Sequence, residues 1–409
     1  MKVETFVEAI LRKMSDIGKS QSKFILHIVR LYLSMRSRYT YLMMGRYGSY
    51  CEQSYRLNFE KDFDFRTFNK ELISQHCGSE LIWIFDPSYI SKSGKKTPYS
   101  GYFWSGCASS MKWGLEICGL AIGDVENHSA MHYHAQQTQF VNRGKGSSKP
   151  KNSEESLRSY YAELLCGQSK EMLKMSKILT CDAFFSKKRF VDKVCQAGFT
   201  LVSRLQNNIY LRYAYNGKQK GGKGRPKEYD GKIDIKNVST QHFNIIKSDE
   251  EEIVYEGVAH VRCLKRWCRV VIVHTLKNGQ IDKALVYFST DKNMEGTKVL
   301  QYYRLRCQVE FIFRDTKGHL GLEHSQSRQE KALDFHFNIA FTTLNIAKAL
   351  HWYSIPKEQR GAFSMADIKT QYVNELLLDR LISIYGKDPS IEKNNPVIRD
   401  LYLLGRIAA

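Results

Sequence analysis

Ile178-Leu179-Thr180-Cys181-Asp182 and, one helix length later, Phe199-Thr200-Leu201-Val202-Ser203 form the stretch whose reading decides the fold. Both are short, continuous apolar runs, the pattern of a strand buried on two faces. The segment between them, about Ser186 to Ala197, has helical spacing and stops at Gly198. A strand–helix–strand unit follows. Active sites of open α/β sheets lie at the carboxyl ends of such strands, and Asp182 stands at one.

Toward the N-terminus the pattern repeats. Leu81-Ile82-Trp83-Ile84-Phe85 is another buried strand, Asp86 follows at once, and Pro87 is expected to break it. Gly101 to Asp124 reads as a strand pair, and His132 to Thr138 alternates like a strand. The His132/His134 pair has no third ligand nearby in sequence, so it reads as a polar strand face and not as a metal pair. Residues 1–75 read as helices, with Phe6, Ile10, Leu11, Met14 and Ile17 in one stripe that stops at Gly18, and a second helix from Phe24 to Met35. The run Arg36, Arg38, Tyr39, Tyr41, Arg46, Tyr47, Tyr50, Tyr55, Arg56 suits either a DNA-backbone surface or helix–helix packing with snorkelling arginines. Asn142 to Ser153 is a Gly/Ser/Pro-rich loop carrying Arg143, Lys145, Lys149 and Lys151, followed by a helix to about Cys166.

Toward the C-terminus, residues 207–281 form a β-rich insertion. It holds alternating runs at Glu252-Ile253-Val254-Tyr255 and Trp267 to His274, and a basic glycine-rich loop from Asn216 to Lys227. Gly224-Arg225-Pro226 fits either a minor-groove hook, which makes Arg225 a candidate DNA contact, or an ordinary solvated hairpin loop. Ala284-Leu285-Val286-Tyr287-Phe288 returns as a core strand and leads into Tyr302 to Gly318, read as one helix with its stop at Gly318. At about 100° per residue, Tyr303, Arg306, Glu310 and Lys317 share a narrow stripe, while Leu305, Val309 and Ile312 form an opposite apolar arc. Arg306 and Glu310 are four apart, so a solvated ion pair is one reading. The other is a phosphate-handling face in which Glu310 binds a metal. That reading requires further carboxylates, because hard cations need several oxygen ligands. Helices follow: a stripe from Leu333 to Leu350, and a helix capped by Ser364 with Asp367 three residues on, running to Tyr385.

The 409 residues carry 62 Lys and Arg against 42 Asp and Glu, a formal net charge of +20. Such a balance points to a polyanionic partner, and the 24 tyrosines among the bases suit contacts to DNA. No apolar run is long enough for a membrane span and no secretory leader is evident, so a cytoplasmic, nucleoid-associated bacterial protein is expected. The ten cysteines include no CxxC and read as reduced thiols; His260, Cys263 and Cys268 lack a fourth ligand at zinc-finger spacing.

Asp86, Asp182 and Glu310 together supply the carboxylates that a metal site requires. Three carboxylates near sheet ends can hold two divalent ions, which activate an attacking oxygen and stabilise the leaving one in phosphodiester displacement. Mg²⁺ fits, with Mn²⁺ as a substitute. At this point the chain resembles the DDE insertion-sequence transposases of the fourth insertion-sequence family and its relatives. Tyr303-x2-Arg306-x3-Glu310-x6-Lys317 is similar at every position to their YREK signature. Asp86, and Asp182 in Thr180-Cys181-Asp182-Ala183-Phe184-Phe185, stand where the family has its two aspartates.

The resemblance covers roughly residues 80–320. It implies an α/β fold with a ribonuclease H-like mixed sheet and helices, interrupted by the β-rich insertion and flanked by helical N- and C-terminal regions. It also implies cut-and-paste transposition by a homodimer bound to double-stranded DNA, at transposon ends and target. Asp86, Asp182 and Glu310 would be catalytic and hold the metal; Tyr303, Arg306 and Lys317 would handle the DNA end. The corresponding division is a helical DNA-binding region at 1–78, catalytic core at 79–206, β-strand insertion at 207–281, core with the glutamate helix at 282–325, and a helical, dimerisation-suited region at 326–409. One departure stands out: relatives that form a DNA hairpin often stack a tryptophan from just before the glutamate helix, where this chain has Tyr287, with Trp267 farther back. Two other readings remain: a DNA-binding regulator without chemistry, and a nuclease that cuts but never joins.

Overall fold

The computed structural model describes residues 3–139, 153–206, 208–219 and 225–407. Arg143, Lys145, Lys149 and Lys151 of the first predicted basic loop, and Gly224 beside Arg225, lie outside the described residues.

The chain opens with α1 (Val3–Leu11), α2 (Lys19–Ser34), α3 (Tyr41–Tyr47), α4 (Glu52–Phe59) and α5 (Phe65–His76). Their apolar stripes, among them Phe6, Ile10, Ile28 and Tyr32, are buried. Tyr39 and Tyr55 of the tyrosine-rich run are buried too, while Arg38, Arg46 and Arg56 are exposed. The tyrosines therefore serve helix packing. Tyr55 Oη meets His27 Nε2 at 2.6 Å, and Tyr39 Oη donates to the carbonyl of His319 at 2.9 Å.

The first strands are β1 (Leu81–Ser91), β2 (Gly101–Ser105), β3 (Ser110–Asp124) and β4 (Ser129–Gln137), followed by α6 (Ser153–Gly167), α7 (Ser169–Met172), β5 (Ile178–Thr180), α8 (Lys188–Gln196) and β6 (Thr200–Leu205). Then come β7 (Leu211–Ala214), β8 (Tyr229–Lys232), β9 (Asn244–Ser248), β10 (Glu252–Val261), β11 (Arg266–Lys277) and β12 (Gln280–Ser289). The C-terminal part is helical: α9 (Gly296–Leu305), α10 (Gln308–His319), α11 (Glu330–Lys348), α12 (Met365–Ile384), α13 (Pro389–Glu392) and α14 (Pro396–Leu403). Among the described residues no helix is long and apolar enough to cross a membrane.

Among the described residues all the strands join one mixed sheet of twelve, ordered β2-β3-β1-β5-β6-β12-β11-β10-β7-β8, with β4 beside β3 and β9 beside β10. Among the described residues only β1/β5 and β5/β6 are parallel pairs. The strands of residues 207–281 extend the same sheet through β12, which pairs antiparallel with β6.

Pro87 does not end β1, contrary to the expectation. The strand runs on to Ser91, paired with β3 throughout, Pro87 opposite Cys118. Its partner on the other edge, β5, stops at Ile84↔Thr180. A proline whose missing N–H faces that vacated edge leaves the ladder intact.

Helices cover both faces. Trp83 Nε1 donates to Met172 O at 3.0 Å, and the rings of Phe85 and Tyr161 lie 5.7 Å apart, which fixes α6 and α7 on one face. α9 and α10 lie on the other, where Gly119 and Gly123 make room: a Cβ would fall 2.6 Å from Phe313 Cζ and 2.8 Å from Leu305 Cδ2. The free edge of β4 is covered by α11. Asn338 and Asn345 each accept from and donate to its backbone at 2.7–2.9 Å, through the amides of Ala135 and His132 and their carbonyls. Side-chain amides thus satisfy an edge that would otherwise present unpaired groups. His132 is buried there, stacked on Phe341 with ring centroids 4.4 Å apart, a structural role.

Candidate active site

The site is set by strand register. Ile84 and Thr180 are paired in parallel, so Asp86 and Asp182 both lie two residues farther on, level with each other on neighbouring strands. Asp86 sits within β1 and not at its end, but at the point where β5 has stopped. Asp182 follows β5 and caps a short 3₁₀ turn (Ala183–Phe185), its Oδ1 accepting from the Phe184 amide at 2.9 Å. Ser203 Oγ on β6 donates to the carbonyls of Cys181 and Asp182 at 2.8 and 3.0 Å, anchoring that turn.

The predicted single helix at 302–318 is two. α9 ends at Leu305 and α10 begins at Gln308. Between them the backbone tightens to i→i+3 bonds, Arg306 N to Tyr303 O at 3.1 Å and Glu310 N to Cys307 O at 3.1 Å. Both junction residues keep right-handed helical dihedrals. Tightening lets Leu305, Val309 and Ile312 all bury against the sheet, as their apolar arc anticipated. The stop is also later than Gly318, at His319, with Gly321 in the left-handed conformation beyond it.

Tyr303, Arg306 and Glu310 of the stripe come together beside Asp86, and Lys317 is held separately. Arg306 Nη2 pairs with Glu310 Oε1 at 2.6 Å, Arg306 Nη1 lies 3.9 Å from Asp86 Oδ1, and its guanidinium lies 5.8 Å from the Tyr303 ring. Arg306 is only 12 % exposed and Asp86 21 %, while Glu310 is 57 % exposed. Lys317 Nζ donates to Tyr89 O on β1 at 2.7 Å and lies 3.6 Å from Glu323. Arg225 does not join this group; it is exposed in the insertion, paired with Glu228 at 2.6 Å. Nor does Trp267, which stacks on Tyr229 within the insertion.

Burial pushes the Asp86 carboxyl up to about 7; the Arg306 guanidinium opposes this, and the charges of Asp182 and Glu310 add to it. Burial raises Asp182 as well, against the Phe184 amide and the charges of Arg306 and Arg204. The charges of Asp182 and Glu310 thus both bear on Asp86.

Arg204 and Tyr287 stand beside these carboxylates; the sequence points to Tyr287 as the aromatic ahead of the glutamate helix, while Arg204 escaped the sequence reading. Thr180 pairs with Val202, so Arg204 on β6 is level with Asp182, and it pairs with Tyr287 on β12. The Tyr287 and Tyr303 rings lie 5.0 Å apart. Arg204 Nε and Arg306 Nε are buried with no hydrogen-bond partner among the described residues. The signal for Arg204 was available: it follows Phe199-Thr200-Leu201-Val202-Ser203 as Asp182 follows the preceding strand.

Among the described residues no three His, Cys, Asp or Glu side chains stand close enough together to hold a metal ion. The donor set nevertheless fits a hard divalent cation, being all carboxylate oxygen and mutually repelling. In this arrangement Arg306 supplies the positive charge between Asp86 and Glu310. Residues 162–346 match the family model described as the transposase DDE domain; no curated protein matches the chain. The matched segment contains Asp182 and Glu310 and begins after Asp86. The similarity supports a DDE transposase, an enzyme of the nuclease/transferase type that acts on DNA, in a class that generally uses divalent metal ions.

Proposed function

We propose that this chain is a Mg²⁺-dependent transposase that nicks DNA at the ends of an insertion sequence and joins the freed 3′-OH strands to target DNA. One observation carries the reading: Asp86 and Asp182 are level on adjacent parallel strands, with α10 laid across them so that Glu310 shares a guanidinium with Asp86. The mixed sheet around these parallel strands supports a ribonuclease H-like core at 79–206 and 282–325. The helical regions at 1–78 and 326–409 would carry DNA binding and dimerisation.

Asp86, Asp182 and Glu310 would hold the metal. When bound, divalent ions of this kind lower the barrier by activating the attacking oxygen and neutralising charge on the leaving one. Mn²⁺ should substitute for Mg²⁺. The chain's own residues do the rest. Arg306 and Arg204, whose Nε groups lack partners among the described residues, would donate to a phosphate. Arg306 would exchange its carboxylate partners for that phosphate, leaving Asp86 and Glu310 to the metal. Lys317, tied to β1, adds charge farther along the strand, and Tyr303 with Tyr287 offers an aromatic wall against a sugar or an unstacked base. Tyr287, not Trp267, is the aromatic placed to serve a hairpin step. Working on DNA, the protein would act at the nucleoid.

The test is cleavage of DNA bearing the sequences that flank the gene, with Mg²⁺. Wild type should nick and join, chelation with EDTA should stop both, and Glu310→Gln should lower the rate by about 100-fold or more, since even outer-shell changes cost that much. Full cleavage by Glu310→Gln would sink the assignment. The close Arg306–Glu310 pair favours a second reading, a DNA-end-binding protein without chemistry, which predicts binding but no cleavage with either Mg²⁺ or Mn²⁺.

A further inference from the structure

We propose that the outer face of the insertion sheet is a second DNA-docking surface, built from Arg212, Lys232 and Arg262 around Tyr210 and from the stacked pair Tyr229 and Trp267. It takes the sugar-phosphate backbone of duplex DNA several base pairs from the cleaved phosphate. The identity of the ligand rests on the transposase reading; the geometry of the surface does not.

Register builds the surface. Trp267 is opposite His260, His260 opposite Arg212, and Arg212 opposite Lys232, on β11, β10, β7 and β8. Directly opposed residues point to the same face, so these four side chains stand in one row across four strands. Their neighbours Leu211, Ala259, Val261 and Cys268 alternate to the other face and are buried. The row shares a face with the carboxylates. Glu256, four residues before His260, accepts from Gly296 N of α9 at 2.6 Å, and α9 packs through Tyr303 on Tyr287, which is paired with Arg204 beside Asp182.

The chemistry of the row is that of a backbone-tracking groove. The Arg212 guanidinium lies 4.6 Å from the Tyr229 ring centre and 5.3 Å from that of Tyr210; Lys232 and Arg262 lie 5.4 and 5.0 Å from Tyr210. Tyr229 and Trp267 stack at 5.7 Å with their planes 20° apart. A cation held over a ring keeps its N–H donors free for phosphate while its orientation is fixed. Among the described residues none of the three cations pairs with a carboxylate. Of the acids near Lys232 in sequence, Glu228 pairs with Arg225, Asp230 pairs with Lys227 and His242, and exposed Asp234 accepts from the Lys236 amide. Lys232 and Arg262 are exposed. Basic groups left without acids, interleaved with aromatic rings, suit nucleic-acid backbone, with little sequence preference because phosphate contacts carry none.

Position separates this surface from the cleaved bond. β7 is five strand steps from β5 in the sheet order. At about 4.8 Å per step that is roughly 24 Å, or about seven base pairs of duplex.

The test compares wild type with Arg212→Gln/Lys232→Gln/Arg262→Gln, and with Lys232→Glu/Arg262→Glu, which alters only exposed positions and so keeps the fold. The probes are labelled duplexes of arbitrary sequence, read by anisotropy across a salt series, and nicking of end-bearing duplexes that stop short of, or extend past, about seven base pairs from the cut. The triple variant should bind the long duplex at least tenfold more weakly, with a salt slope shallower by about three, close to one for each phosphate that is no longer neutralised. It should nick the short duplex like wild type. The charge-reversed pair should bind more weakly still. An unchanged affinity and slope in folded variants would overturn the proposal. Loss of long-duplex binding in a protein that never cleaves would leave this surface standing and remove only the transposase reading.

Discussion

Arg306 and Arg204 govern the electrostatics of the candidate site from opposite sides. Arg306 reaches Asp86 and Glu310 from the helix junction, and the charge of Arg204, on β6, draws the Asp182 carboxyl down against its burial. Both have a buried guanidinium nitrogen without a partner among the described residues, a costly arrangement unless a ligand supplies the acceptor. Arg306 stood out in the sequence because its spacing to Glu310 puts both on one helical stripe; Arg204 follows an apolar run as Asp182 does, but an arginine after a strand has innocent uses and only the Thr180↔Val202 pairing levels it with Asp182. If Arg204 holds a phosphate, Arg204→Gln removes a charge-assisted bond of about 1.5–3 kcal/mol. End-DNA affinity, measured by anisotropy without divalent metal, should fall roughly 10- to 100-fold. Arg204→Lys should recover part of it, because it keeps the charge but not the planar fork. Equal affinity in all three proteins would remove Arg204 from the DNA contacts.

Most elements were legible because each obeyed one period. The runs at Leu81–Phe85, Ile178–Cys181 and Phe199–Ser203 are too short and apolar for surface helices, and each is a strand. What escaped depends on the partner. Pro87 was misread because a chain cannot announce that its neighbour on one edge ends three residues earlier. The tightened turn at Arg306 and Cys307 was missed because it follows from burying both Leu305 and Val309 on a flat sheet, while the local sequence favours continuous helix. The seat of α10 is correspondingly exacting. At Gly119 a Cβ would lie 2.6 Å from Phe313 Cζ and 3.2 Å from Asp86 O. Gly119→Val should lift α10 from β3, costing about 1–3 kcal/mol by overpacking, and should lower the nicking rate by more than the unfolded fraction explains, since Glu310 moves with the helix. Adding Phe313→Leu opens space and should restore part of both. Chemical denaturation and single-turnover nicking on the three variants read the two effects separately. A destabilised Gly119→Val that nicks at the wild-type rate would show that the helix position does not matter.

Across the whole molecule, the continuous sheet places the candidate site near its middle, the insertion at one end, and the helical regions around the other. The sequence suggested dimerisation through the C-terminal helices but could not say through which face, since packing decides which side of an amphipathic helix is spent on its own chain. α12 buries Ile368, Tyr372 and Ile382 inward. Leu377, Leu381 and Ile384, spaced four and three apart, are left outward, and α14 leaves Val397 and Leu401 outward, four apart, with exposed Leu404 just past its end. Ile384 is 79 % and Val397 71 % exposed. Exposed apolar rows on neighbouring helices are the kind of surface a partner covers, and a self-complementary patch is the common route to a twofold dimer. A net charge of +20 opposes association of free chains, and DNA would remove that repulsion, so pairing should be strongest on DNA. Leu381→Glu with Leu401→Glu should therefore halve the mass of the protein–DNA complex in light scattering, while melting stays within about 2–4 °C of wild type because neither side chain is buried. Nicking, which needs one site, should persist; paired-end joining, which needs two, should be lost. A double variant that keeps the wild-type complex mass and joins both ends would place the dimer contact elsewhere.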